Sequence, residues 1–126
     1  MNSHRLRKVM AGLLVLCGQQ AVADYPQFAD DPQLSAGRAV WIGTCEGCHG
    51  YGFAGAPMPT DAQAWQPRLD KPIELLYQHA LEGFFGPDDT MMPARGGNDA
   101  LTDAEVKSAV DYMVEFARQH AVPDNE

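Results

Sequence analysis

Apolar residues recur at helical spacing in two long segments of the chain. The first segment has them at i, i+3, i+4, i+7, i+8 and i+11, namely Ile73, Leu76, Tyr77, Ala80, Leu81 and Phe84. The second has the same spacing, at Val106, Ala109, Val110, Met113, Val114 and Ala117. Thr102 and Glu105 precede the second stripe at the positions of a capping box. These patterns predict two amphipathic helices, the first closed by Gly83 and Gly86 and the second ended by Pro123.

A further helix is predicted at the N-terminal side of these two. Asp31 is a capping residue, and Pro32 suits the first helical position. From there the helix is expected to run through Leu34, Gly37 and Trp41 toward residue 45. A glycine inside a helix costs ~0.5–1 kcal/mol relative to alanine, so we expect another helix to cross closely at Gly37.

The segments between these helices predict loops. Residues 50–67 are rich in Gly and Pro, which favours a loop wrapped around another group. Residues 90–97 read Thr-Met-Met-Pro-Ala-Arg-Gly-Gly, an unusual loop with two adjacent methionines. No segment has a convincing strand pattern, so the sequence predicts an all-α fold.

Residues 1–23 have the pattern of a cleaved secretory signal peptide. A basic start is followed by an apolar run over residues 9–18 and a small-x-small site at residues 21–23. That run is about half of the ~20 residues that a transmembrane helix needs, which disfavours a retained anchor. Lipidation at Cys17 is the minor alternative, because Leu16 is bulky where such processing favours a small residue. We expect a signal peptide at 1–23 and one domain at 24–126.

Length and net charge limit the number of domains and the classes of function that the protein can have. The 126 residues allow one domain, and the 9 Lys and Arg against 17 Asp and Glu give a formal charge of -8. Loss of Arg5, Arg7 and Lys8 with the signal peptide takes that charge from -8 to -11. A strongly acidic protein is poorly suited to nucleic acid. The mature domain is also small for a core built from its own side chains, so we expect an apolar group to complete that core.

The candidate chemistry lies in Cys45-Glu46-Gly47-Cys48-His49. Cys-x-x-Cys-His is the attachment motif of c-type haem, in which two thiols on one helical turn bond the porphyrin vinyl groups and the histidine lies under the iron. A redox-active cysteine pair and a structural disulfide are the alternatives. No βαβ pattern surrounds the motif, and neither alternative requires His49.

These features together resemble class I c-type cytochromes, most closely the small bacterial cytochrome c5 group. The resemblance rests on the signal peptide, a short helix before Cys-x-x-Cys-His, a further helix, the Met-Pro-x-basic-Gly-Gly loop and a C-terminal helix. It covers residues 31–116. It implies a single-domain, all-α class I cytochrome c fold, in which helices and Gly/Pro loops surround one covalent haem c.

The resemblance also implies roles for individual residues. His49 would be the proximal iron ligand, with its other ring nitrogen donating to the carbonyl of Pro57. Met92, directly before Pro93, would be the distal ligand, and Met91 is the alternative candidate for that role.

The segment that contains Trp65 and Arg68 resembles the region of the family that contacts the haem propionates. Their indole and guanidinium N–H groups would then donate to the haem carboxylates, whereas the alternative places Trp65 in the core and Arg68 in solvent. Gly37 and Trp41 match the small and aromatic residues where the first and last helices of the family cross. Tyr112 or Phe116 would be the partner of Trp41.

The implied function is that of a periplasmic one-electron carrier and not of an enzyme. Its partners would be redox proteins, with a basic docking surface favoured by the acidic charge, and neither nucleic acid nor a membrane span in the mature form is expected. One alternative is a dedicated cytochrome subunit of a periplasmic oxidoreductase. Another is a haem-based sensor of small molecules, which needs an open or weakly held sixth position on the iron. The Met-Met-Pro loop disfavours it, because this loop offers a ligand for that position.

Overall fold

The structure is a computed structural model, and it describes residues 24–121. The predicted signal peptide and residues 122–126 lie outside the described residues. The helices are α1 (Pro32–Val40), α2 (Glu46–His49), α3 (Ala62–Leu69), α4 (Ile73–Glu82) and α5 (Asp103–His120). Two short strands, β1 (Phe84–Phe85) and β2 (Met91–Met92), pair between α4 and α5. Within residues 24–121, no helix has both the length and the apolar character needed to cross a membrane.

Helix α1 begins as the sequence predicts. The Asp31 carboxylate accepts hydrogen bonds from the backbone N–H groups of Gln33 at 2.9 Å and Leu34 at 3.0 Å, and Pro32 is the first helical residue. The helix does not stop near residue 45. It widens into one π-helical turn, Trp41–Cys45, and continues directly as α2, so the Cys-x-x-Cys-His motif lies on a helical turn.

Helices α1 and α5 cross in close contact and form the centre of the core. Trp41 is fully buried, and its ring centroid lies 5.6 Å from that of Tyr112 and 6.0 Å from that of Phe116. Both aromatic partners proposed for Trp41 therefore contact it. The capping box of α5 is also present, because the Thr102 hydroxyl accepts from the Glu105 N–H while the Glu105 carboxylate accepts from the Thr102 N–H.

The prediction of an unbroken loop over residues 50–67 is wrong at its C-terminal end, where α3 forms. The Asp61 carboxylate caps this helix by accepting from the backbone N–H of Ala64 at 3.1 Å. Trp65 is only 4% exposed. Burial of an indole outweighs the single helical hydrogen bond that Pro67 cannot donate.

The expectation that no strand forms is wrong for residues 84–92. Gly83, with φ of +88°, ends α4 one residue before Phe84, which therefore lies outside the helix. Phe84 pairs with Met92 and Phe85 with Met91 in an antiparallel ladder. The chain reverses through a turn in which the Gly86 N–H donates to the Thr90 carbonyl at 2.9 Å. A ladder of two pairs is too short for a period of two to be visible in the sequence.

Candidate haem site

The Cys-x-x-Cys-His turn presents two free thiols within residues 24–121. Cys45 ends the π-helical turn and packs half-buried against the core, and Cys48 is exposed on α2. Burial raises the pKa of the Cys45 thiol to about 11, and the neighbouring Cys48 adds to the rise.

His49 is fixed by the loop that follows it. Its Nδ1 lies 3.0 Å from the carbonyl oxygen of Pro57. Because a carbonyl oxygen can only accept a hydrogen bond, Nδ1 carries the hydrogen and donates it in this bond. Burial lowers the pKa of the imidazole, although the hydrogen bond to Pro57 opposes that shift. A neutral ring with Nδ1 committed leaves Nε2 as the nitrogen with a free lone pair, which is the form that binds metals.

Trp65 and Arg68 lie on the same side of the site as His49. The indole N–H of Trp65 donates to the Pro57 carbonyl at 3.4 Å, so this one oxygen accepts from both His49 and Trp65. The guanidinium of Arg68 donates to the carbonyl of Ala64, and its charge further lowers the pKa of His49. Trp65 is buried, and contact of Trp65 or Arg68 with a haem propionate stays a prediction.

The β1–β2 ladder separates the two candidate methionines. Successive residues of a strand point to opposite faces. Met92 is half-buried and packs against the core, whereas Met91 is 54% exposed and pairs with Phe85, which is 82% exposed. Met92 faces inward and Met91 faces outward.

Several apolar side chains pack against the core and yet remain partly exposed. They lie on α1, the π-helical turn, α3, α4 and β2: Val40, Cys45, Leu69, Leu76, Leu81 and Met92. The apolar stripe of α4 shows the same feature, because Ala80 is buried while Leu76 and Leu81 are only half-buried. A porphyrin is a flat apolar group that would cover such surfaces, so the residues present fit a covalent haem.

Sequence reasoning missed one feature of the site, the surroundings of Glu46. Its Oε1 accepts hydrogen bonds from the hydroxyls of Tyr25 at 2.7 Å and Tyr51 at 3.2 Å. Tyr51 is only five residues from Glu46, so its place just after the motif is a signal that the sequence does carry. Tyr25 is 21 residues away, and no sequence pattern links it to Glu46.

Known proteins are similar to this chain in sequence and in fold. A family model described as "Cytochrome C oxidase, cbb3-type, subunit III" matches residues 32–113. Cytochrome c-555 of Chlorobaculum tepidum is 44% identical over 99 residues, which are 79% of this chain and 89% of that protein. Cytochrome c5 of Ectopseudomonas mendocina is 32% identical over 72 residues, which are 55% of this chain and 76% of that protein.

A solved structure supports the same assignment. It is a crystal structure of an electron transfer complex of nitrite reductase with cytochrome c. The match has a TM-score of 0.59 and 39% identity, and it covers 70% of this chain and 98% of the matched chain. These similarities confirm the resemblance and the fold class derived from the sequence. The chain therefore belongs to the class I c-type cytochromes, electron-carrier proteins with a covalently bound haem c.

Proposed function

We propose that this cytochrome carries single electrons in the periplasm, with haem c attached at Cys45 and Cys48 and the iron held by His49 and Met92. One observation carries the proposal: both free thiols and the imidazole of His49 lie on the same helical turn. The Nδ1 of that imidazole is already hydrogen-bonded to the Pro57 carbonyl at 3.0 Å. When bound, the haem supplies the couple between ferric and ferrous iron.

The role of the protein is to hold that group in one position. His49 offers Nε2 because the Pro57 carbonyl fixes its tautomer and orientation. The second hydrogen bond to this carbonyl, from Trp65, restrains the loop that carries Pro57. Arg68 retains guanidinium N–H groups for a haem propionate, which we propose as its role.

Met92 is the better candidate for the distal ligand. Its half-buried position supports it over the exposed Met91, and its backbone pairs with Phe84 in the ladder. A methionine thioether would occupy the sixth coordination position of the iron, which disfavours a sensor that binds small molecules there.

We propose that residues 1–23 are the cleaved signal peptide and that residues 24–126 are the mature domain. The basic start, the apolar run and the Ala-Val-Ala site support export.

Redox proteins are the proposed partners, and the acidic net charge supports a basic docking surface on them. The similarity to a cytochrome c in complex with nitrite reductase supports exchange of electrons with another protein. The description of the family model supports a second candidate, a dedicated subunit of one oxidoreductase. A stable complex that purifies from the native host would favour that candidate over a freely diffusing carrier.

Intact-protein mass spectrometry tests the proposal. The mature protein should carry the mass of one haem after acid-acetone extraction, because thioether bonds survive it. Peptide mapping should locate the haem on the peptide that contains Cys45 and Cys48. Recovery of two free thiols without haem mass from the native host would overturn the proposal.

A further inference from the structure

Glu46 lies inside the attachment motif and is held there by two tyrosines. Its Oε1 accepts from the Tyr25 hydroxyl at 2.7 Å and from the Tyr51 hydroxyl at 3.2 Å. The donors approach from opposite directions along the chain, one from the segment before α1 and one from the residue that follows the motif by two positions. The carboxylate is therefore tied to both flanks of the turn.

The position of Tyr25 is set by the core. Its ring packs edge-on against Trp41 with centroids 4.4 Å apart, and the next residue, Pro26, accepts a hydrogen bond at its carbonyl from Tyr112 at 3.0 Å. Burial and the neighbouring Glu46 raise the pKa of Tyr25 well above its usual value, so its hydroxyl stays a donor.

Close packing at Gly50 holds the Glu46 side chain on this side of the turn. A Cβ atom on Gly50 would lie 2.8 Å from Glu46 Cγ and 3.1 Å from the Tyr25 hydroxyl. A side chain at residue 50 would therefore crowd both Glu46 and the Tyr25 hydroxyl. Glu46 is thus a negative charge with a defined place.

The place of this charge matters because of the neighbours of Glu46 along α2. It follows Cys45 directly and precedes His49 by three residues, and side chains three apart on a helix begin about 5–6 Å from each other. A fixed negative charge near a metal centre stabilises the more positive, oxidised form. Such a charge is screened less when it is partly buried.

We propose that Glu46 lowers the reduction potential of the haem held by its turn, and that Tyr25 and Tyr51 are positioning residues for its carboxylate. The inference rests on the proposed attachment at Cys45 and Cys48. It adds to the proposed function a determinant of which donors and acceptors the carrier can serve.

Redox titration of the holoprotein tests this inference. Glu46→Gln keeps the size and an acceptor oxygen but removes the charge, so its equilibrium with a fixed mediator should shift toward the ferrous form by about three- to tenfold. Glu46→Asp keeps the charge and should stay closer to the wild type. Glu115→Gln removes the same charge from α5, where Glu115 pairs with Arg118 at 3.1 Å, and should give a much smaller shift.

A shift for Glu46→Gln no larger than that for Glu115→Gln overturns the inference, and so does an equal shift for Glu46→Asp. Should Glu46→Gln yield no holoprotein, the pair Glu46→Asp and Glu46→Asn makes the same comparison of charged and neutral side chains. Absence of covalent haem from the wild-type protein would instead refute the proposed function, and mass spectrometry separates the two failures.

Discussion

Gly37 of α1 and Ser108 of α5 meet backbone to backbone. A Cβ atom on Gly37 would stand 2.0 Å from the carbonyl oxygen of Ser108 and 3.2 Å from the backbone nitrogen of Ala109. This contact sets how closely the two helices approach, and Trp41 packs one turn further on, at the start of the π-helical turn that follows α1. The unfavourable helix propensity of Gly37 is therefore offset by the crossing that it permits.

We predict that Gly37→Ala destabilises the protein by about 1–3 kcal/mol or more, because rigid backbone must move to admit the methyl group. Denaturant unfolding of the ferric holoprotein measures the loss. Gly43→Ala is the matched control, since a Cβ there would meet nothing within 4 Å. It should be neutral or stabilise by up to about 1 kcal/mol, because alanine has the better helix propensity. Equal effects of the two substitutions would contradict the role assigned to the crossing.

The crossing also shows which parts of the fold the sequence can predict. Helices α1, α4 and α5 follow from apolar spacing and caps, because each has a face that repeats over several turns. The crossing at Gly37 follows from a local penalty that needs a compensating contact. The haem site follows from a short motif whose chemistry fixes the spacing of Cys45, Cys48 and His49.

The features that the sequence did not predict depend on contacts between distant residues. Helix α3 forms because Trp65 finds a buried place, which outweighs Pro67 as a local signal against a helix. The pairing of Phe84 with Met92 depends on a turn in which Asp88 and Asp89 adopt left-handed backbone angles, with φ of 57° and 58°. Neither aspartate marks a ladder in the sequence.

The orientation of the ladder leads to a prediction about the distal ligand. Met92→Ala should abolish the long-wavelength sulfur-to-iron band of the ferric protein and allow the ferrous haem to bind carbon monoxide, because the sixth site opens. Met91→Ala is the matched control and should leave both properties largely unchanged, since Met91 is 54% exposed. Optical spectra of the two variants decide between them. The larger effect in Met91→Ala would move the ligand by one residue and leave the electron-transfer function intact.

The capping box of α5 leads to a prediction about acid stability. The backbone N–H of Thr102, with help from its hydroxyl, lowers the pKa of Glu105. Because the folded-state pKa is the lower one, this stabilisation is full above the unfolded pKa of about 4.3 and is lost as the pH falls through the folded value. Glu105→Gln should therefore be less stable than the wild type at neutral pH, and the difference should vanish in acid.

Urea unfolding from pH 7 to pH 3 measures this convergence. Thr102→Ala, which removes the other half of the box, should cost about 1 kcal/mol at neutral pH. A gap between Glu105→Gln and the wild type that stays constant down to pH 3 would show that the carboxylate charge does not take part in the cap.

The surface beside Met92 leads to a prediction about partner recognition. Phe85 and Met91 form an exposed apolar pair, and the turn that joins their strands carries Asp88 and Asp89. Apolar contact alone would make association insensitive to salt. The two carboxylates, within a protein of formal charge -8, should instead attract a positively charged reactant.

Stopped-flow electron transfer across a salt series separates the two contributions. With a cationic metal complex as oxidant, the second-order rate should fall as salt is added, and with an anionic complex it should rise, because the screening length is only about 10 Å at 0.1 M. Asp88→Asn and Asp89→Asn, as single variants, should each flatten both dependences more than Glu115→Gln does, since rim charges act mainly on association rates. With the native partner protein, a rate that falls with salt supports steering toward a basic surface. A rate that is flat or rises with salt would assign docking to the apolar pair, in which case Phe85→Ala should slow electron transfer at every ionic strength.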